Sequence, residues 1–572
     1  MQSSIVLGVK MRKRHSLVII FWCITIAFFF SWLIPAVDHI LFQIGMRLLG
    51  KNDEFSSLWR HRFLKHSIRM LILLSAIPVL FRYARATELQ SMDEKSQQGR
   101  RSLLWCFGSA FVVLSICSTC SPLYPVHMWD DSNCFFTVGK SIWKGLVPYR
   151  DLHEQKGPIL FFLHSCASLI SYRTFHGVFL FEIVAAAIFL WLTGKTVSLF
   201  TKRNCWPFIA LFSSCVYSSF NFVLGDSVEE LILPLFAYVM YVSLKHTKEH
   251  SLYLSKELFF FGLIAGVVFW TKFNLLGFFI GWAVGPIIQY SRLRLFRQIV
   301  QSLLLVLCGV IVVSGPILLF FGINDALSDL FNIYFYNNIL LYPQKLSLFQ
   351  KWLTLFSILR EVYFYNYGML LLQILALIAW IKLGRPYLLQ MLCMYCVTFF
   401  TIFFGGSNYA YYSFLLWVFT GLSFLPLLTI IPAKIDECWA WYAFSLGAAL
   451  VFAYLNSDSA RLLGIPKEQY PQYTFSLYIN EKADRGTLMN YQCLDQGIFT
   501  ISGALPTQKY FFTSNINNKE QEIAQEEVLK KGLVDFIITD TPIESSIFQL
   551  VMCQEKPLWR KRQPTLYLYE KR

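Results

Sequence analysis

Residues 124–164 read YPVHMWDDSNCFFTVGKSIWKGLVPYRDLHEQKGPILFFLH, a charged interval set between long apolar segments. Its reading decides the fold. The adjacent carboxylates Asp130 and Asp131 follow an aromatic, apolar segment from about Leu103 to Tyr124, which would bring them out at a membrane surface. A charge pair is costly there without a task. The plainer alternative is that Asp130 caps a helix starting near Asn133, since aspartate is favoured at an N-cap and an acid stabilises a helix N-terminus. Further on, Pro148, Gly157 and Pro158 punctuate the chain, while Arg150, Asp151, His153, Glu154 and Lys156 crowd into seven positions. That density suits phosphate handling, and equally a solvated charged loop.

Composition explains what flanks this interval. Over 572 residues the chain is 56% hydrophobic, 17% aromatic and only 15% charged, too apolar for one soluble core. A mean hydropathy of +0.49 agrees, and the class is a multi-pass membrane protein, mainly α-helical. The formal charge of +15 would suggest nucleic acid in a soluble protein, but much of the lysine and arginine falls in short loops between apolar runs, so no nucleic-acid partner is expected. Most of the 14 cysteines lie inside apolar segments without metal-type spacing, and read as small core residues. Cys134, Cys493 and Cys553 fall outside them, and a Cys493–Cys553 disulfide is an open pairing.

Charge placement then orients the chain. The run Leu17–Val37, 21 residues behind Lys10, Arg12, Lys13 and Arg14, can cross a hydrocarbon core of about 30 Å, and a second crossing is expected over about 68–83. The polar interval 85–101 then reads as cytoplasmic, like the N-terminus, which sends a third crossing at about 103–121 outward, and Asp130 and Asp131 emerge outside. Residues 158–171 are short of the seventeen or so that a span requires and are expected to form an interfacial helix. With that parity, alternate loops collect Lys195, Lys202 and Arg203, then Lys245, Lys248 and Lys256, then Arg292, Arg294 and Arg297, then Lys382 and Arg385, while the opposite loops are poor in both. Further crossings are expected at about 175–198, 205–223, 229–245, 258–271, 273–290, 298–322, 368–383, 387–404, 411–431 and 438–455, about thirteen transmembrane helices in all. Residues 456–572 turn polar, with TFSLYI, KYFFTSN, VDFIITD and TLYLYEK as β-rich pieces and one clear helix, 519–531, ended by Gly532. They read as a small extracytoplasmic α/β domain. No nucleotide fingerprint or phosphate-binding glycine loop is present, which argues against a nucleotide-sugar donor.

The key loop also carries a likeness. An acidic pair, a glycine some fifteen positions on (Gly145), and the pattern PY.DL...KGP (Pro148, Tyr149, Asp151, Leu152, Lys156, Gly157, Pro158) resemble the first external loop of GT-C membrane glycosyltransferases. The resemblance is to bacterial relatives of the protein mannosyltransferase and aminoarabinose transferase group, the glycosyltransferase family 39-like proteins. It covers about residues 103–290 in detail, more loosely the C-terminal end, and not residues 1–100. Residues 489–514 look like the tail domain attached to many such relatives. The implied organisation is an N-terminal extension of two transmembrane helices (1–102), a GT-C catalytic bundle (103–455) with external loops 122–157 and 323–367, and the tail domain (456–572). The implied activity is transfer of a sugar from a polyprenyl-phosphate-linked donor, at the outer face of the plasma membrane, to a cell-wall polymer such as a teichoic acid, a glycolipid or a protein.

Such a reaction releases a phosphate monoester, a good leaving group that calls for charge stabilisation more than protonation. It therefore needs one base and at least one cation. A carboxylate would deprotonate the acceptor hydroxyl as it attacks the anomeric carbon, inverting it. Asp130 or Asp131 can serve; an Asp stands at the second place where the family more usually has Glu, so either can be the base. Lys156, matching the family's Lys-Pro or Lys-Gly-Pro lysine, is expected at the lipid phosphate, with snorkelling as its plain alternative. Lys272 and Arg150 are further candidate cations. Asp226, Glu229 and Glu230 form a second acidic cluster, where helix capping by Asp226 or Ser227 explains part; with Asp130 and Asp131 it could hold a divalent cation, the one cofactor considered. His127 and His153 are candidate ligands or acceptor contacts, and the tyrosine-rich interval 323–367 could cover sugar or acceptor. A non-enzymatic transporter or flippase of lipid-linked sugars is the alternative, and it predicts acids buried at mid-membrane.

Overall fold

The structure, a computed structural model, describes residues 97–344, 346–429, 439–482, 486–516, 518–557 and 564–572. The crossings expected at 17–37 and 68–83 lie outside these residues. Helices Gln97–Cys117, His176–Ser198, Trp206–Tyr217, Val228–Glu249, Ser255–Lys272, Gly277–Arg292, Phe296–Ile323, Tyr367–Leu383, Arg385–Phe403 and Trp439–Asn456 occupy the expected apolar stretches, and a 3-10 helix over Ala410–Ser423 runs into Phe424–Leu428.

Five of these stretches are long and apolar enough to cross a membrane: His176–Ser198, Ser255–Arg292, Phe296–Ile323, Arg385–Phe403 and Ala410–Leu428. A sixth forms if Leu348–Tyr365 and Tyr367–Leu383, bent by 103°, count as one span. Two of the thirteen expected crossings lie outside the described residues, and among the described residues the count is below the remainder for physical reasons. Trp206–Tyr217 has only 12 residues, and Ser255–Lys272 continues through the 3-10 turn Phe273–Leu276 into Gly277–Arg292 as one helical stretch. Several helices turn long apolar side chains outward, as Phe296–Ile323 does with Leu303, Leu307, Ile311 and Leu319. A surface of that kind is stable in lipid, where a helix satisfies its own backbone. The protein is a multi-pass membrane protein.

The loop 122–157 is ordered around its own helix, Asp130–Ile142, which begins three residues earlier than Asn133 and places both aspartates in its first turn, where the helix dipole favours them. Its N-cap is Trp129, so neither aspartate caps it. The segment 158–171 forms the 13-residue helix Pro158–Ile170, opened by Pro158 in the first turn. The two helices pack together at Gly139, where a Cβ would lie 2.6 Å from that of His164. The interval 323–367, expected as a loop, is largely helical, with a π-helical stretch Phe331–Leu341 and the helix Leu348–Tyr365.

After residue 456 the chain builds a four-stranded sheet, β1 (Leu488–Asn490), β2 (Phe536–Thr539), β3 (Phe548–Glu555) and β4 (Thr565–Lys571), in the order β1-β2-β4-β3. β1 pairs parallel to β2, with Leu488 opposite Phe536; the other pairs are antiparallel, with Ile537 opposite Tyr569. Helix Lys519–Lys531 packs Val528 against Met489, Ile537 and Phe548, with Asn518 as its N-cap and Gly532 left-handed at its end. Two of the four β-rich pieces are strands. TFSLYI lies in the helix Pro471–Lys482, and KYFFTSN is irregular. Cys493 and Cys553 are both free, the first buried and the second exposed, so the disulfide is not formed.

Candidate active site

The KGP turn positions the first cation. Gly157 lies so close to the end of Ser255–Lys272 that a Cβ would fall 2.1 Å from the Trp270 carbonyl oxygen, and its N–H donates to Thr271 O at 3.2 Å. Only glycine permits that approach, and it brings Lys156 and Lys272 to one place. The fully buried Tyr149 fixes the turn from inside by donating its hydroxyl to Lys156 O at 2.6 Å.

Asp131, Glu154, Lys156, Glu229 and Lys272 then share one electrostatic neighbourhood. Burial alone would pull the Lys156 ammonium down, but Asp131, Glu154, Tyr342 and Glu229 outweigh it and hold the lysine above its ordinary value. Lys156 Nζ sits 5.3 Å from the centre of the Phe135 ring, and its backbone N–H donates to Glu154 Oε1 at 3.0 Å. Burial pushes the Glu154 carboxyl up, against the pull of Lys156. Lys272 Nζ meets Glu229 Oε1 at 2.5 Å and stands 3.6 Å over the Tyr412 ring, a cation–π contact in a nearly dry setting. Tyr411 donates to Asp131 Oδ2 at 3.0 Å, and the Tyr342 and Tyr412 hydroxyls meet at 3.0 Å.

Sequence neighbours part company here. Asp130 pairs with Lys556 Nζ at 3.2 Å, a lysine directly after β3, and burial raises its carboxyl despite that partner. Arg150 is engaged elsewhere: its guanidinium forks onto Asp151 at 2.9 and 2.8 Å and reaches Asn324 O at 2.7 Å, with no bond to the residues around Asp131. The acidic cluster also splits. Glu229 faces Lys272, whereas Asp226 Oδ2 accepts from His164 Nε2 at 2.8 Å and the Asp226 N–H donates to both Glu182 Oε1 and Glu230 Oε2. Ser227, not Asp226, caps the helix Val228–Glu249 by accepting from Glu230 N. Asp130, Asp131, Asp226, Glu229 and Glu230 therefore do not assemble a common ligand set for a divalent cation, because lysines and a histidine already divide them.

His153 packs on Tyr510 and His127 on Phe175, both buried and both lowered to about 4, burial being the main cause. Neither reaches the Asp131 group. From 323–367, Tyr342 joins it, Asn338 Nδ2 holds Gln155 O at 2.7 Å, Tyr334 bonds Phe269 O, and Tyr336 is exposed. Sequence reading missed Tyr411, Tyr412 and Lys556. The tyrosines sit in NYAYYS at 408–413, where a cluster of hydroxylated rings at the start of an apolar run was the available signal. Lys556 carries no local signal, since it reaches Asp130 across 426 residues of chain.

The C-terminal segment holds the loop from behind. Thr137 donates to Asp495 Oδ2 at 2.6 Å, buried Lys140 donates to Phe499 O at 2.6 Å, and the His153 N–H donates to Lys509 O at 2.9 Å. Burial holds Asp495 up to about 6 and Lys140 down to about 7.

No protein-family model matches the chain, and no curated protein matches it in sequence. Among solved structures it is similar to ArnT from Cupriavidus metallidurans in the apo state, with TM-score 0.56 and 12% identity over 83% of this chain and 98% of that one. The crystal structure of ArnT bound to undecaprenyl phosphate aligns at TM-score 0.49 and 10% identity, with the same coverage. ArnT is an aminoarabinose transferase of the GT-C family. Over 83% of its length the chain therefore has an ArnT-like fold.

Proposed function

We propose that this protein transfers a sugar from a polyprenyl-phosphate-linked donor to a hydroxyl of an extracytoplasmic glycan, lipid or protein, with Asp131 as general base and Lys156 and Lys272 at the lipid phosphate. The observation that carries this reading is the gathering of Asp131, Lys156 and Lys272, with Glu154 and Glu229, into one group bounded by Tyr342, Tyr411 and Tyr412. Of the two aspartates, Asp131 is favoured because Asp130 is committed to Lys556.

In the reaction the acceptor oxygen attacks the anomeric carbon, and its proton passes to Asp131. The bond from that carbon to the phosphate oxygen breaks, and the polyprenyl phosphate leaves with both electrons. Its added negative charge develops beside Lys156 and Lys272, which lie in a low-dielectric pocket where preorganised charge is most effective. Glu229 and Tyr412 orient Lys272, and Tyr411 orients Asp131. The C-terminal segment lies outside the membrane on this reading, as does the Asp130–Ile142 helix that it braces.

The test is transfer by purified protein in lipid nanodiscs, offered a panel of undecaprenyl-phosphate-linked sugars and extracted membrane acceptors. One donor should release undecaprenyl phosphate in step with labelled acceptor. Transport of the intact lipid-linked sugar across a vesicle, with no bond cleaved, would favour a flippase instead.

A further inference from the structure

Behind the Asp131 group lies a second buried cluster with different chemistry. Ser118, Thr119 and Cys120 follow the helix Gln97–Cys117; Ser118 donates to Glu182 Oε1 and Oε2 at 2.9 and 2.7 Å, and Thr119 N donates to Leu224 O at 2.9 Å. Glu182, Asp226 and Glu230 are each at most 1% exposed, and Asp226 adopts the left-handed conformation, φ 62°, so that its N–H can serve both glutamates. Of these three carboxylates His164 meets Asp226: its Nδ1 lies 2.8 Å from Leu160 O and its Nε2 2.8 Å from Asp226 Oδ2. Among the described residues, Asp226 Oδ1, Glu230 Oε1 and His127 Nε2 are buried with no hydrogen-bond partner. A buried carboxylate is costly unless a positive charge meets it or a proton neutralises it, and Asp226 still has an oxygen to offer.

From this geometry we infer that Cys120, His127 and Asp226 form a zinc site that clamps residues 118–127 to the 224–227 turn. One ligand atom from each of these buried side chains lies within 4.8 Å of the others, and no other such cluster of three histidine, cysteine or acidic side chains occurs among the described residues. Cys120 Sγ is 3.5 Å from His127 Nδ1. Zinc bonds of about 2.3 Å to sulfur and about 2.0–2.1 Å to nitrogen, at a tetrahedral angle, separate their ligand atoms by about 3.5 Å. The mixed sulfur, nitrogen and oxygen set selects zinc over magnesium or calcium, which take oxygen ligands. Thr119 Oγ1, now 2.7 Å from His127 Nδ1, also lies 3.3 Å from Leu224 O and can turn to it when the nitrogen binds metal. A small cavity lined by Cys120, His127, Asn133, Phe175 and Gly497 adjoins the pair. On binding, the Cys120 thiol gives up its proton to solvent. The clamp sets the start of the helix Val228–Glu249, and hence Glu229, two residues beyond the turn it fixes.

The test is metal analysis of full-length protein purified in detergent, supplied with zinc and then dialysed. Wild type should retain one zinc per chain, Cys120→Ser and His127→Gln should bind it about ten-fold or more weakly, and cobalt in place of zinc should give a thiolate-to-cobalt charge-transfer band in wild type. If either variant fails to fold, that band decides alone. Absence of the band, no zinc retained by wild type, or equal retention by both folded variants would overturn the site.

Discussion

Tyr411 donates its hydroxyl to Asp131 Oδ2 at 3.0 Å, while the adjacent Asp130 is held by Lys556 at 3.2 Å. Two neighbouring carboxylates in one helical turn thus have separate partners, one from an apolar helix and one from the C-terminal segment directly after β3.

If Tyr411 orients the base, Tyr411→Phe should lower turnover about ten-fold, the worth of one hydrogen bond to a charged group, and leave donor KM unchanged. Steady-state kinetics with the active donor checks this. A rise in donor KM with turnover intact would place Tyr411 at the substrate and not at Asp131.

Lys156 is held by its backbone, since Tyr149 and Gly157 fix the turn whatever side chain stands between them. Lys156→Ala should therefore fold, with donor KM raised about 10–100-fold for the loss of a charged contact. Lys156→Arg should recover part of it, and removing sugar groups from the donor should not change the ratio. A lipid-facing lysine that merely snorkels would leave donor KM as in wild type.

Acid should loosen the loop from the C-terminal segment through His153. In the fold its ring titrates at about 4, below the ordinary 6.5, because burial first and Lys509 second disfavour its charged form. The unfolded chain therefore takes up the proton first, and the stability held by the neutral ring, complete above pH 6.5, is lost as pH falls from about 6.5 to about 4. Its upper size is about 3 kcal/mol. Asp495 works with the opposite sign between about 3.8 and 6, its carboxyl being raised by burial. The comparison is therefore with His153→Phe, which keeps the ring on Tyr510. Thermal midpoints of the two proteins should converge at neutral pH and separate in acid, wild type falling further. Parallel curves would rule out His153 as the source.

Much of the fold was legible because lipid imposes a simple code. Apolar runs gave helix positions to within a few residues, and the thirteen residues Pro158–Ile170 were too few to cross and form a short helix. Helix Lys519–Lys531 was legible from Asn518, its acid-first and base-last charges and Gly532. TFSLYI was not, since β-branched and aromatic residues fit a helix face equally well when one side packs on the sheet, as Tyr478 does on Phe536. The candidate site was legible only in part. Asp131, Lys156, Lys272 and Glu229 come together as their loop positions suggested, but Arg150, Asp226 and Glu230 turn to local partners that spacing alone does not reveal. Tyr411 and Lys556 arrive from 280 and 426 residues away, by tertiary contacts that no local pattern encodes.

The central claim is that Asp131 removes the acceptor proton while the lysines hold the donor. Single-turnover transfer by Asp131→Asn, with donor binding measured on the same preparation, tests it most directly. Donor affinity should match wild type while transfer slows by about 100-fold or more; transfer at the wild-type rate with donor bound would contradict it.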